Sequence, residues 1–297
     1  MRISFTRRNT AVVFILSLLM VASELAAQAP PAASQEKGMT ASVEFDGSSN
    51  SSGAVYELDS GVGYAFSGHF AMGLGVPVYF SQSSSSGTSN SVYQLGDPSL
   101  GLQFKFPNPQ LSYNTSLTGV VPTANTKHGF STGRVTYDWS NHFDHAFSFV
   151  TPFVDAGVGN SIMDTRLYHR PYTTLGYNAH FAAGANKDLW KFFTVSASAY
   201  DILPWGPQKM YSRIAGLQSG ANPLAGKHGR VFETSTSTSG GASLTSDNGY
   251  SASIDANPTP FLDLGMGYTR SVRYALNTIS FSVGVNIGSL SKKNSQH

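Results

Sequence analysis

The chain has 297 residues, with 19 Lys or Arg, 17 Asp or Glu and a formal net charge of +2; only 12% of it is charged and none is cysteine. The missing thiols exclude cysteine nucleophiles, cysteine-ligated metals and a disulfide framework, and no basic stripe points to nucleic acid. Charge at about half the usual ~25% is too little to clothe an exported soluble domain and suits a wall that faces lipid, which tolerates charge poorly.

Residues 1–27 open with Arg2, Arg7 and Arg8, continue through a short apolar run at 11–22 and end in small residues. Run length and flanks predict a secretory signal peptide rather than a spanning helix. Without it the chain keeps 16 basic and 16 acidic residues, so the apparent basicity belongs to the signal. Residues 28–38 (QAPPAASQEKG) read as a flexible lead-in.

Residues 39–288 then alternate apolar with small or polar residues in twelve stretches: 40–45, 54–65, 69–80, 95–106, 111–122, 134–140, 146–159, 175–186, 193–203, 250–256, 262–270 and 275–287. In 69–80, Phe70, Met72, Leu74, Val76, Val78 and Phe80 share one face, and Ala71, Gly73, Gly75 and Pro77 share the other. Period-two alternation is the signature of a strand with one apolar face. Stretch 146–159 changes phase, which predicts a bulge near 150–152. Residues 230–236 are expected to extend neighbouring strands, and 289–297 form a polar tail.

The connections sort by length. Those at 47–53, 81–94, 123–133, 160–174 and 204–248 are long; 66–68, 107–110, 141–145, 187–191 and 257–260 are short; 271–274 is the exception to strict alternation. A sandwich has no reason to collect its long loops at one end, whereas an outer-membrane barrel does. The expectation is therefore an all-β fold: a single transmembrane antiparallel up-and-down β-barrel of about 12 strands, its last strand (275–287) paired with its first. Aromatic belts should mark the two water boundaries. Tyr64, Phe70, Phe104, Phe106, Tyr113, Trp139, Phe147, Phe193 and Phe261 fall near the short turns, and Tyr56, Phe80, Tyr250 and Tyr268 near the long loops.

Leu95-Gly96-Asp97-Pro98-Ser99-Leu100-Gly101-Leu102, then Gly119-Val120-Val121-Pro122-Thr123, and Asp155-Ala156-Gly157-Val158-Gly159 resemble motifs of an outer-membrane family named for the meta-pathway of phenol degradation. The resemblance implies a barrel of that class and uptake of small, often aromatic compounds, and it brings no catalytic residues.

If the apolar face is outward, the lumen face is small and polar with scattered charge. Glu57, Asp59, Asp97, Asp138, Asp155, His180 and Asp201 are the candidate lumen or mouth residues, with Arg134 the main counter-charge there; Lys105, Asp255 and Asp263 lie nearer the short-turn end. Such a lumen either conducts cations and neutral solutes or is plugged by its own ion pairs. Catalysis is not expected: histidines are scattered, and His145 with Ser148 reads as a turn. His142 and His145 lack a third metal ligand, and no cofactor or metal is expected. Loop 204–248, with Trp205, Tyr211 and Phe232, is long enough to cover the mouth or touch a partner. These features together predict a monomeric outer-membrane channel for small solutes, dealing with membrane lipids and the barrel-assembly machinery. The competing reading is a non-conducting anchor that works through its loops.

Overall fold

The computed structural model describes residues 37–83, 91–108, 111–214, 230–259 and 261–286, so the signal peptide, most of the lead-in and the polar tail lie outside the described residues. The strands, in order, are β1 (Gly38–Asn50), β2 (Gly53–Ala65), β3 (Phe70–Ser83), β4 (Ser91–Leu95), β5 (Ser99–Phe106), β6 (Ser112–Val120), β7 (Thr136–Asp144), β8 (Thr151–Gly159), β9 (Tyr172–Leu175), β10 (Asn178–Trp190), β11 (Phe193–Pro204), β12 (Gln208–Ser212), β13 (Ser237–Gly240), β14 (Asp247–Thr259), β15 (Leu262–Ser271) and β16 (Leu276–Asn286). All but β9, β12 and β13 belong to one antiparallel sheet. β4 and β5 both pair with β3 and form one stave, parted by Gly96-Asp97-Pro98. β1 pairs with β2 and with β16, from Ser42↔Asn286 to Asn50↔Thr278, so twelve staves close a barrel and leave no edge.

The wall is inside out by the standard of a soluble protein. On β16, Ile279 is 64% exposed while Ser280 is 1% exposed. On β2 and β3, Val62, Met72, Leu74 and Val76 face out, and Gly61, Gly63, Gly73 and Gly75 alternate with them toward the interior. An apolar band of this extent would aggregate in water and is stable against hydrocarbon. Ring contacts line the short-turn end from β2 to β7: Tyr64–Phe66 edge-on at 4.9 Å, and stacked pairs Phe66–Phe70 and Phe70–Phe104 at 5.1 and 4.6 Å, then Phe106–Tyr113 and Tyr113–Phe143 at 5.7 and 4.8 Å. Trp139 instead lies toward the long-loop end, opposite Val158, and Phe143 takes the belt position.

Several expectations need correction. The tract 47–50 remains in β1, because Ser51-Ser52 alone makes the turn, with Asn50 Oδ1 accepting the Ser52 N–H at 2.9 Å. No bulge lies near 150–152: residues 145–150 form the turn and β8 starts at Thr151, so Phe147 and Phe149 are turn residues. Register shifts fall at Asp188/Trp190 and Ala256/Thr259. Residues Val231–Thr234 form a short helix and extend no strand.

Candidate functional site

One of the long connections turns into the barrel. Residues 160–171, between β8 and β9, carry a tight Thr165↔Tyr168 bridge with Arg166 at the tip. The Arg166 Nε donates to Glu44 Oε1 and Ser282 Oγ, both at 2.7 Å, and Nη1 to Asp255 Oδ1 at 2.9 Å; Nη2 donates to Asp263 Oδ1. These partners stand on β1, β16, β14 and β15, so the tip reaches the inner wall on one side of the barrel. β15 makes room for it: a Cβ at Gly265 would lie 2.9 Å from Arg166 Nη2, and one at Gly267 3.3 Å from the Leu167 Cβ.

Behind the tip, His169 is 3% exposed and joins loop to wall. Its Nε2 is 2.5 Å from Asp46 Oδ1, its Nδ1 is 3.2 Å from Glu57 Oε2 and 3.7 Å from Asp164 Oδ2, and its backbone N–H donates to Ser48 Oγ at 2.8 Å. Burial disfavours the imidazolium, but the carboxylates of Asp164, Asp46 and Glu57 outweigh it and hold the His169 pKa well above its ordinary value. Burial likewise acts against the Asp164 anion, yet Arg213, His169 and Arg170 keep its carboxyl well below the usual range. Arg213 pairs with Asp164 and lies over the stacked Tyr79 and Phe130 rings, which are 4.7 Å apart. The donor atoms of Asp46, Glu57 and His169 lie within 4.8 Å of one another, close enough to consider a metal. However, the two ring nitrogens each face a different carboxylate, which is the arrangement of an imidazolium held between anions.

Above this plug sits a cap, the small sheet β13-β12-β9. Tyr172 and Met210 of this sheet pack with Ile214, Phe232 and, from the wall strand β16, Leu276 into a compact apolar cluster. Arg230 fastens the cap to two wall turns: Nε donates to the Tyr274 carbonyl at 2.6 Å, Nη2 to the Ala275 carbonyl at 2.9 Å, and Nη1 to Glu233 at 2.9 Å and Ser52 Oγ at 3.0 Å.

Of the residues singled out from sequence, Glu57, Asp59, Asp97, Asp138, Asp155 and His180 line one lumen cavity of about 800 Å³. Asp138 accepts from His180 Nε2 at 2.9 Å, and Asp155 lies 2.6 Å from Nδ1 of His142, which is a wall residue of β7 and not part of a solvated turn. Asp97 receives the backbone N–H groups of Thr123 and Ala124 at 2.8 and 2.7 Å. That bond gives the Gly-Asp-Pro and Pro-Thr motifs a physical purpose: a broken stave ties down the loop that leaves the next one. Two expectations fail. Asp201 is exposed on the outward phase of β11, while its neighbours Tyr200 and Ile202 face in. Arg134 is exposed in its loop, and the counter-charges are Arg166, Arg170 and Arg213.

A second cavity, of about 380 Å³, extends toward the short-turn end along β1, β2, β3, β5 and β6. The two cavities share Asp59, Ser99 and Thr118 and therefore adjoin there. The first is lined by eight carboxylates (Glu44, Asp46, Glu57, Asp59, Asp97, Asp138, Asp155, Asp164) against three guanidinium groups and two imidazoles, so the lumen is acidic.

No protein-family model matches the chain, and no curated protein matches it. Among solved structures it is similar to the COG4313 outer membrane channel from Pseudomonas putida F1, with a TM-score of 0.54 and 10% identity over 87% of this chain and 100% of that one. The NanC porin and the KdgM porin align less well, with TM-scores of 0.45 and 0.46 at 10% and 7% identity, each over 82% of this chain and 98% of its own. At such identities the first likeness shows a shared fold alone.

Proposed function

We propose that the protein is an outer-membrane channel for small solutes, narrowed by residues 160–171 and favouring cations and neutral polar molecules. The observation that carries this reading is the pair of adjoining cavities running between the plug and the β2–β6 wall. The excess of carboxylates supports the cation preference, since a ring of one charge in a confined lumen sets the sign of the permeating ion. Small aromatic solutes, which the motif resemblance implies, suit the rings of Tyr79, Phe130, Phe153 and Tyr168 along the wider cavity. Export by the signal peptide, insertion by the barrel-assembly machinery and a monomeric barrel surrounded by lipid complete the proposal. No catalytic step belongs to it, and lipid hydrolysis lost on Ser148→Ala would contradict that. The competing role, a non-conducting anchor acting through its cap, draws support from the ion pairs that tie the plug to the wall. Planar-bilayer recording separates the two: the channel reading requires discrete current steps, and a folded barrel with no current in either polarity overturns it.

A further inference from the structure

The plug consumes most of the acidic groups it meets. Glu44, Asp255 and Asp263 go to Arg166, while Asp46 and Glu57 go to His169. Asp59 is different. Among the described residues it has no ion-pair partner, and its Oδ1 is buried without a hydrogen bond from the protein. It stands where the two cavities adjoin, and it is the one Asp, Glu, Lys, Arg or His among the residues lining the narrower one. The residue as a whole is half-buried; Gly61 and Gly75 bring no side chain beside it, and a Cβ at Gly75 would sit 3.3 Å from Oδ1 and 2.8 Å from Ser99 Oγ. The hydroxyls of Ser99 and Thr118 complete the ring around the passage.

We infer that Asp59 is the selectivity-determining residue of this passage and binds small monovalent cations, inorganic or ammonium, in transit. The inference rests on the channel reading and names which group sets its ion preference. A carboxylate with no cation of its own, next to Glu44 across the ladder and to the hydroxyls of Ser99 and Thr118, offers a cation several weak ligands, and a confined passage strengthens its field relative to open solvent. Arg166, bound to Glu44 directly across the β1–β2 ladder from Asp59, is the nearer opposing charge, and Lys105, two residues beyond Gln103 on the inner phase of β5, stands farther toward the short-turn end. It acts at the exit, so its neutralisation should raise cation preference slightly.

The test is the reversal potential of single channels in a KCl gradient, for the unaltered protein, Asp59→Asn, Asp59→Glu and Lys105→Gln. The cation-to-anion permeability ratio should fall at least about fivefold in Asp59→Asn, be restored in Asp59→Glu and rise modestly in Lys105→Gln. Conduction with an unchanged ratio in a folded Asp59→Asn overturns this inference and leaves the channel reading intact; absence of conduction in the unaltered protein overturns the channel reading itself. Should Asp59→Asn fail to fold, Thr118→Cys retains the carboxylate and supplies the chain's only thiol, since the protein has none. Cationic methanethiosulfonate should then modify it at least about fivefold faster than the anionic reagent of similar size, and equal rates overturn the inference.

Discussion

The wall and the plug are built on opposite rules. In the wall the exposed groups are apolar and the buried ones are small and polar, as Ile279 beside Ser280 shows, and backbone ladders between strands supply its cohesion. In the plug charged groups are buried: His169 and Arg170 are 3 and 5% exposed, and Asp164 holds both together with Arg213, which follows β12 and is 7% exposed. A wall of ladders is insensitive to any one side chain. A plug of ions depends on each member, because removing one partner leaves an uncompensated charge. The lesson is that closure of the barrel and closure of its lumen are separable, and the chain can alter one without the other.

Substitutions can break that separation or sharpen it. Arg166→Ala strips the cation from three carboxylates at once and should release the plug tip. The loss is on the order of 3 kcal/mol, the lower end for a broken buried pair because the side chain is 30% exposed. Single-channel conductance should rise several-fold while heat-dependent gel mobility stays that of a folded barrel; collapse of the barrel instead would show that wall and plug are one unit. Arg230→Met should cost the cap about 3 kcal/mol, seen as faster proteolysis of residues 205–246 with strand content unchanged. Gly265→Val forces a side chain into the space of Arg166 and Leu167, and should weaken plug docking by about 1–3 kcal/mol, with a smaller conductance rise than Arg166→Ala.

pH acts on the same contacts. His169 gains affinity for its proton in the folded plug, so its contribution is fully present below the ordinary imidazole value and lost as pH rises through the raised one. Asp164 behaves in reverse: its contribution is present above the ordinary carboxyl value and lost as pH falls through the lowered one. Conductance should therefore climb as the solution becomes alkaline. The smallest effect belongs to Asp201→Asn, which should leave ion selectivity unchanged because that carboxylate faces outward.

Much of the wall was legible because it obeys a period. Alternation places every stave, and the inward phase of Glu57, Asp59, Asp138 and Asp155 follows from it. Asp201 departs from that phase, lying with Ala199 and Leu203, and the alternation of β11 already assigns it outward. The plug was not legible, because residues 160–171 have no period, and a loop that folds inward reads like one that folds out. A signal was nonetheless present. Asp164, Arg166, His169 and Arg170 crowd into seven residues of a chain that is only 12% charged. The inner faces of β1, β14 and β15 also offer Glu44, Asp46, Asp255 and Asp263 with no cation on the same faces to answer them, since Arg270 of β15 shares the outward phase of Met266 and Tyr268. Buried carboxylates require a counter-charge, and the only place left to supply one was a loop.

Residues 160–171 occupy the lumen against β15. Because the chain lacks cysteine, Leu167→Cys with Gly267→Cys introduces a single thiol pair at a site where the Leu167 Cβ lies 3.3 Å from an ideal Cβ on Gly267. That separation is close to the ~3.8 Å of a relaxed disulfide. In intact outer membranes the pair should oxidise within one chain and resist a thiol label until reduced, with the single variants fully labelled. Two thiols that stay free and label together under the same oxidation would contradict a docked plug.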